Sequence, residues 1–136
     1  MNPVVQHGPF AGFEIIHSYT RQQAIADGVL IDLSTSFPNE TRMFKWNVAC
    51  TDTVWNIIER ASEADGCEVA VYVWDVCYMA CTVIQHAKNA GQQELFFKVC
   101  LPLRERGTER RLKLVCGPAS FDDPSPCLTI MLPEED

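Results

Sequence analysis

The sequence predicts an α+β fold: a single domain in which an antiparallel sheet, ending in a C-terminal three-stranded meander, packs against two or three helices. Val54, Ile57, Ile58 and Ala61 recur at i, i+3, i+4 and i+7, the apolar stripe of one helix face. Residues 95–101, 112–116 and 127–132 are three β-rich runs, and the segments between them carry the Gly and Pro that reverse a chain. The 136 residues are 47% hydrophobic, which suffices to bury roughly 65–70% of the unfolded surface in one core without a disulfide or metal staple.

In chain order, residues 1–12 carry Pro3, Gly8, Pro9 and Gly12 and read as a flexible N-terminal tail, with the domain spanning 13–136. Residues 13–17 are expected to form a short strand with Ile15 and Ile16 inward. Thr20 and Gln23 have the spacing of a reciprocal capping box, and Gly28 is placed to end the helix they start. Val29 to Leu33 reads as a strand, and residues 34–41, with Pro38 and Asn39, as a loop. Phe44, Trp46 and Val48 alternate with Lys45, Asn47 and Ala49, the period of a strand with one wet face over residues 43–50.

Thr51 or Asp52 can cap the striped helix, which should end near Gly66. Residues 69–73 alternate like a strand, but Trp74 to Lys88 is too long for one and contains good helix formers. The expectation is a helix from about Val73 to Asn89, apolar nearly all round in its first three turns and buried on the sheet, with Asp75 in its first turn. The strand runs follow, joined by an arginine-rich loop over 102–111 and a second loop over 117–126. Residues 133–136 read as an acidic tail.

The formal charge is −7, unevenly distributed. Residues 98–113 hold six bases and two acids, whereas residues 114–136 hold five acids and no base. A net acidic body is repelled by nucleic acid at long range and attracted to basic partners. No basic start precedes an apolar run at the N-terminus. The longest apolar run, residues 69–84, is broken by Asp75 and is shorter than the ~18–20 residues of a membrane span, so a soluble, cytoplasmic protein is expected.

Seven cysteines include no Cys-x-x-Cys, and without an export signal they read as buried apolar thiols. Cys77 and Cys81 lie one turn apart, but His86, five residues further, is rotated ~140° off their face. Cys77 or Cys81 with His86 is the only nucleophile and base pairing the sequence assembles, and that geometry opposes it. Asp75 beside Trp74 reads as a first-turn carboxylate rather than a catalytic one. Phe121, Asp122 and Asp123 fall short of a calcium loop. No metal, no cofactor and no enzymatic activity is expected.

Tyr19-Thr20-Arg21, Ala24-Ile25, Asp27-Gly28-Val29-Leu30 and Asp32, then Trp74-Asp75-Val76 with Met79-Ala80, then residues 112–118 and 129–133, together resemble a family catalogued only as a domain of unknown function. Its members are carried by bacterial plasmids, integrative elements and phages, so the resemblance implies a mobile-element setting and brings no catalytic motif.

Two charged sets are the candidate partner-binding residues. Glu59, Glu63, Asp65 and Glu68 form an acidic patch at the end of one helix, open to reading as a solvated face or as a docking patch. Arg104, Arg106, Arg110 and Arg111 cluster in one loop, where guanidinium groups suit phosphate or carboxylate recognition or simple solvation. The expected function is a mobile-element inhibitor of bacterial host defence, of the anti-CRISPR type, acting stoichiometrically on a protein or ribonucleoprotein effector such as a CRISPR complex. The alternative is an accessory or regulatory factor for plasmid or phage replication or transfer, touching nucleic acid through the 104–111 loop.

Overall fold

The computed structural model describes residues 20–86, 94–101, 109–118 and 125–135. The expected tail, the strand over 13–17, the helix end beyond residue 86 and the loop at Phe121 to Asp123 lie outside them. The described chain forms α1 (Arg21–Ala26), β1 (Leu30–Asp32), α2 (Leu33–Ser36), β2 (Val48–Thr51), α3 (Asp52–Asp65), α4 (Val69–Gln85), β3 (Glu94–Cys100), β4 (Glu109–Pro118) and β5 (Pro126–Met131). This is a mixed α+β architecture around a five-stranded sheet of order β1-β2-β5-β4-β3.

The first helix is fixed at both ends by local chemistry. Gln23 donates its backbone N–H to Thr20 Oγ1 at 3.0 Å, and Thr20 donates its own to Gln23 Oε1 at 2.8 Å, completing the capping box. At the other end Gly28 takes φ +79°, which lets its N–H reach Ile25 O at 3.2 Å and the Val29 N–H reach Ala24 O at 2.9 Å. This paired closure turns the chain directly into β1.

The sheet is not wholly antiparallel. β1 with β2, β5 with β4, and β4 with β3 run antiparallel, but β2 and β5 are parallel, with Val48 opposite Leu128 and Cys50 opposite Ile130. The alternation over 43–50 was misleading, because only Val48–Thr51 is strand, and Val48, Ala49 and Cys50 are all buried. A central strand covered on both faces has no wet side for a period of two to mark. Trp46, expected inward, is 44% exposed. The predicted loop over 34–41 begins instead with the one-turn α2, because Asp32 accepts hydrogen bonds from Thr35 N and Thr35 Oγ1.

One hydrophobic cluster fills the space between the sheet and α3 with α4. Val54, Ile57, Ile58 and Ala61 are the buried residues of α3, as their spacing predicts, and Thr51 caps its N-terminus. Tyr72, Val73, Val76, Cys77 and Ala80 are the buried residues of α4, and they meet Phe97, Val99, Leu112, Leu114 and Ile130. α4 starts four residues before the expected Val73, so Asp75 stands in the second turn and not the first. Val69, Val71 and Val73 do not alternate across a strand: Val73 is buried and Val71 is exposed, as a helix requires.

Within the acidic stretch at the C-terminus, Glu135 is anchored to the fold. Glu135 Oε2 accepts from Thr51 Oγ1 at 2.9 Å and from Leu132 N at 2.8 Å, and its carbonyl accepts from the buried Lys113 Nζ at 2.6 Å. Glu94 stands 3.9 Å from the same ammonium. The carboxylate thus ties the cap of α3 to the end of the sheet.

Gly66 ends α3 at φ +72°, and a Cβ built there meets nothing within 4 Å. Only the left-handed backbone strain therefore remains in Gly66→Ala, which should destabilise the protein by about 1 kcal/mol, with Gly66→Asn losing less. Urea unfolding of the three proteins measures the difference.

Candidate interaction surfaces

The acidic set is exposed and lies around one turn. Glu59 and Glu63 project from α3, Asp65 ends that helix, and Glu68 precedes the first turn of α4. Asp65 is not free, because Tyr72 Oη donates to its Oδ2 at 2.5 Å. Tyr72 is itself buried, and burial followed by this hydrogen bond raises its phenol pKa. Asp65 is thereby a brace between α3 and α4, and Glu59, Glu63 and Glu68 carry the outward charge.

The basic set is distributed differently from the expectation. Arg104 and Arg106 lie outside the described residues. Arg110 and Arg111 belong to β4, opposite Val99 and Lys98 of β3, so they are strand residues and not part of a loop tip. The Arg111 guanidinium carbon sits 4.5 Å from the centroid of the Phe96 ring, a cation–π contact on the sheet face opposite α3 and α4. Among the described residues, the acids stand on α3 and the turn before α4, whereas Arg110 and Arg111 stand on β4.

The outer face of α4 is the feature that sequence reasoning missed. Val71, Trp74 and Tyr78 are 49%, 45% and 50% exposed, and the two rings stack with centroids 5.0 Å apart and planes 14° from parallel. The helix is apolar nearly all round in its first three turns, as its sequence reads, but the residues it buries are the stripe containing Tyr72, Val73, Val76, Cys77 and Ala80. A groove of about 770 Å³ separates Trp74, Tyr78 and Cys81 from the turn carrying Asn39, Glu40 and Arg42. The spacing 71, 74, 78 was the available signal, since it is a second helical stripe opposite the buried one.

A second concavity, of about 570 Å³, lies where α1, the segment before β2 and the start of β5 meet. Arg21 forms its polar wall: Nε and Nη2 donate to Asn47 Oδ1 at 3.3 and 3.2 Å, Nη1 to Thr129 Oγ1 at 2.7 Å, and Nη2 to Leu128 O at 2.7 Å. Burial lowers the Arg21 pKa, and the nearby Cys127 and Asp32 act in the opposite direction. Asn47 passes the contact on, donating Nδ2 to Asp32 Oδ1 at 3.1 Å. No sequence motif announces this network, because its members are separated by up to 108 positions.

His86 and Asp75 both belong to the α4 region. His86 Nδ1 lies 2.8 Å from Thr82 O at the end of α4. Asp75 is half-buried, and burial raises its carboxyl pKa; it lines a small cleft with Met79, Lys98 and Glu109. Among the described residues, no three His, Cys, Asp or Glu side chains are grouped to hold a metal ion, and no helix is long and apolar enough to cross a membrane. The family described as "Family of unknown function (DUF6573)" matches residues 7–136. No curated protein and no solved structure matches the chain.

Cys77 is fully buried, and burial pushes its thiol up to about 12 from an ordinary 9.0. A raised folded pKa makes the neutral thiol's contribution fully present below pH 9 and progressively lost as pH climbs from 9 towards 12. Unfolding free energy should therefore fall over that window, and Cys77→Ala should show a shallower fall. Urea titrations at pH 8, 9, 10 and 11 measure the two slopes.

Proposed function

The chain belongs to this family of unknown function, and we propose that it is a binding protein, an inhibitor of bacterial host defence of the anti-CRISPR type that occupies a protein or ribonucleoprotein effector stoichiometrically. The observation that carries the binding role is the exposed, stacked Trp74–Tyr78 pair on α4, with Val71 one turn before it and Glu68 at the head of the helix. Trp and Tyr supply much of the energy at protein interfaces, because a large flat surface is desolvated at the loss of few rotatable bonds. Holding both rings on a rigid helix in mutual contact reduces the ordering still required on association.

The acids give the partner its chemistry. Glu63 and Glu68 flank the turn that leads into α4, and Glu59 stands one turn earlier on α3, so the complementary surface is expected to pair an apolar area with basic groups. Effectors that handle nucleic acid present such basic surfaces. The mobile-element setting implied by the family resemblance narrows the partner to a defence effector. A docking area of roughly 1,200–2,000 Å² is expected.

The Arg111–Phe96 pair favours a second reading, an accessory nucleic-acid-binding factor for replication or transfer of the element. An arginine over an aromatic ring on an open sheet face is a platform on which single-stranded bases stack. Mobility shifts with single-stranded DNA that weaken with salt and vanish in Arg110→Ala/Arg111→Ala would favour it over the first.

The test of the first reading starts with capture of the partner from a host lysate and continues with the purified pair. Trp74→Ala should weaken binding by about 30-fold or more. Glu59→Lys/Glu63→Lys should slow association and flatten its dependence on salt. Equal affinity in Trp74→Ala would remove the α4 face, and unchanged salt dependence in the charge reversal would remove the acidic border.

A further inference from the structure

We propose that the cavity beside Arg21 is a binding site for a small oxyanion, a phosphate or carboxylate carried on a flat ring. It lies on the sheet face opposite α3 and α4, and it does not depend on the partner surface of α4. Its volume of about 570 Å³ is in the range of small-molecule sites.

The charge arrangement points to an anion. Arg21 is half-buried, and each of its hydrogen-bond partners among the described residues, Asn47 Oδ1, Thr129 Oγ1 and Leu128 O, is neutral. Lys45 lines the same cavity. Among the described residues neither cation has a carboxylate within 4.0 Å. Among the described residues Asp32 is the one carboxylate in the lining, and it already accepts from Thr35 N, Thr35 Oγ1 and Asn47 Nδ2. Among those residues, two cations face one carboxylate that three donors already engage. A guanidinium withdrawn from water that meets Asp32 only through the bridging Asn47 is incompletely compensated, and an entering oxyanion relieves it.

The donor geometry suits the same ligand. A guanidinium has five N–H groups. Nε is taken once, Nη2 twice and Nη1 once, which leaves one Nη1 N–H without a partner among the described residues. Asn47 and Asp32 hold the guanidinium plane in place, so it is ordered before any ligand arrives. Trp46 supplies the other half of the recognition: it lines the cavity and is 44% exposed, leaving indole surface for a ring to stack on.

The test is a ¹⁵N NMR titration of the full chain with inorganic phosphate, adenosine monophosphate and benzoate at constant ionic strength, with sodium chloride as the control. Saturable shifts of the Trp46 indole N–H and the Asn47 side-chain amide are expected. The two ring-bearing ligands should bind at least about fivefold tighter than inorganic phosphate, and the tighter of them identifies phosphate or carboxylate as the natural headgroup. Lys45→Ala should weaken binding about tenfold and Trp46→Ala should abolish the advantage of the ring. Both side chains are exposed, so both variants are expected to fold. Shifts that grow linearly and match those of chloride would overturn the site. Saturable binding unchanged in both variants would place the ion elsewhere and overturn it equally.

Discussion

The parallel pairing of β2 with β5 is the constraint on which the rest of the structure depends. It joins residues 48–50 to residues 128–130, so every element from α3 to β4 is inserted between two strands that end up side by side. Closing such a loop is entropically unfavourable before any contact rewards it. The seam is accordingly held from several directions. Arg21 reaches across it from α1 to Asn47, Thr129 and the Leu128 carbonyl, and Leu128 N donates to Asn47 O at 2.8 Å. Glu135 ties the end of β2 to the residues that follow β5.

Once that seam is closed, the two faces of the sheet have different fates. Side chains alternate along each strand, so Leu128 and Ile130 face α3 and α4 while Thr129 faces Arg21. The first face is a dry cluster, and its packing fixes the rotation of α4 through Val73, Val76, Cys77 and Ala80. Val71, Trp74 and Tyr78 are outward because those four are inward. The second face is polar at the seam, with the guanidinium, the Asn47 amide and the Thr129 hydroxyl satisfying one another.

Legibility in the sequence followed the range of the interaction. The capping box at Thr20 and Gln23, the turn at Gly28 and the stripe of α3 depend on residues within a few positions of one another, and they stand as the spacing predicts. Strand direction was not legible, because parallel and antiparallel neighbours place the same demands on Val48, Ala49 and Cys50. The alternation of Val69, Val71 and Val73 looked like a strand until the positions beyond them, Val76, Cys77 and Ala80, are counted with Val73 on a helix of 17 residues. Of the charged candidates, Glu59, Glu63 and Glu68 are exposed as expected, Asp65 is held by Tyr72, and Arg111 is held over Phe96. Trp74 and Tyr78 are legible only as a second helical stripe with Val71, since an apolar residue declares its preference for burial and not whether the fold has room for it.

That last point separates a core from an interface in physical terms. A five-stranded sheet offers one helix-covered face of limited width, and α3 and α4 together occupy it. A 17-residue helix apolar on two sides can bury only one of them there. The second side, with two stacked rings roughly half exposed, is hydrophobic surface that this fold cannot cover from within the described residues. Replacing Trp74 and Tyr78 by polar side chains would leave the buried stripe intact, so their presence is not required for folding. The buried stripe of α4 therefore does not by itself call for these two rings. On the proposed binding role, a neutral or acidic partner would gain the apolar contact but leave the exposed Glu68 at the head of the same helix uncompensated.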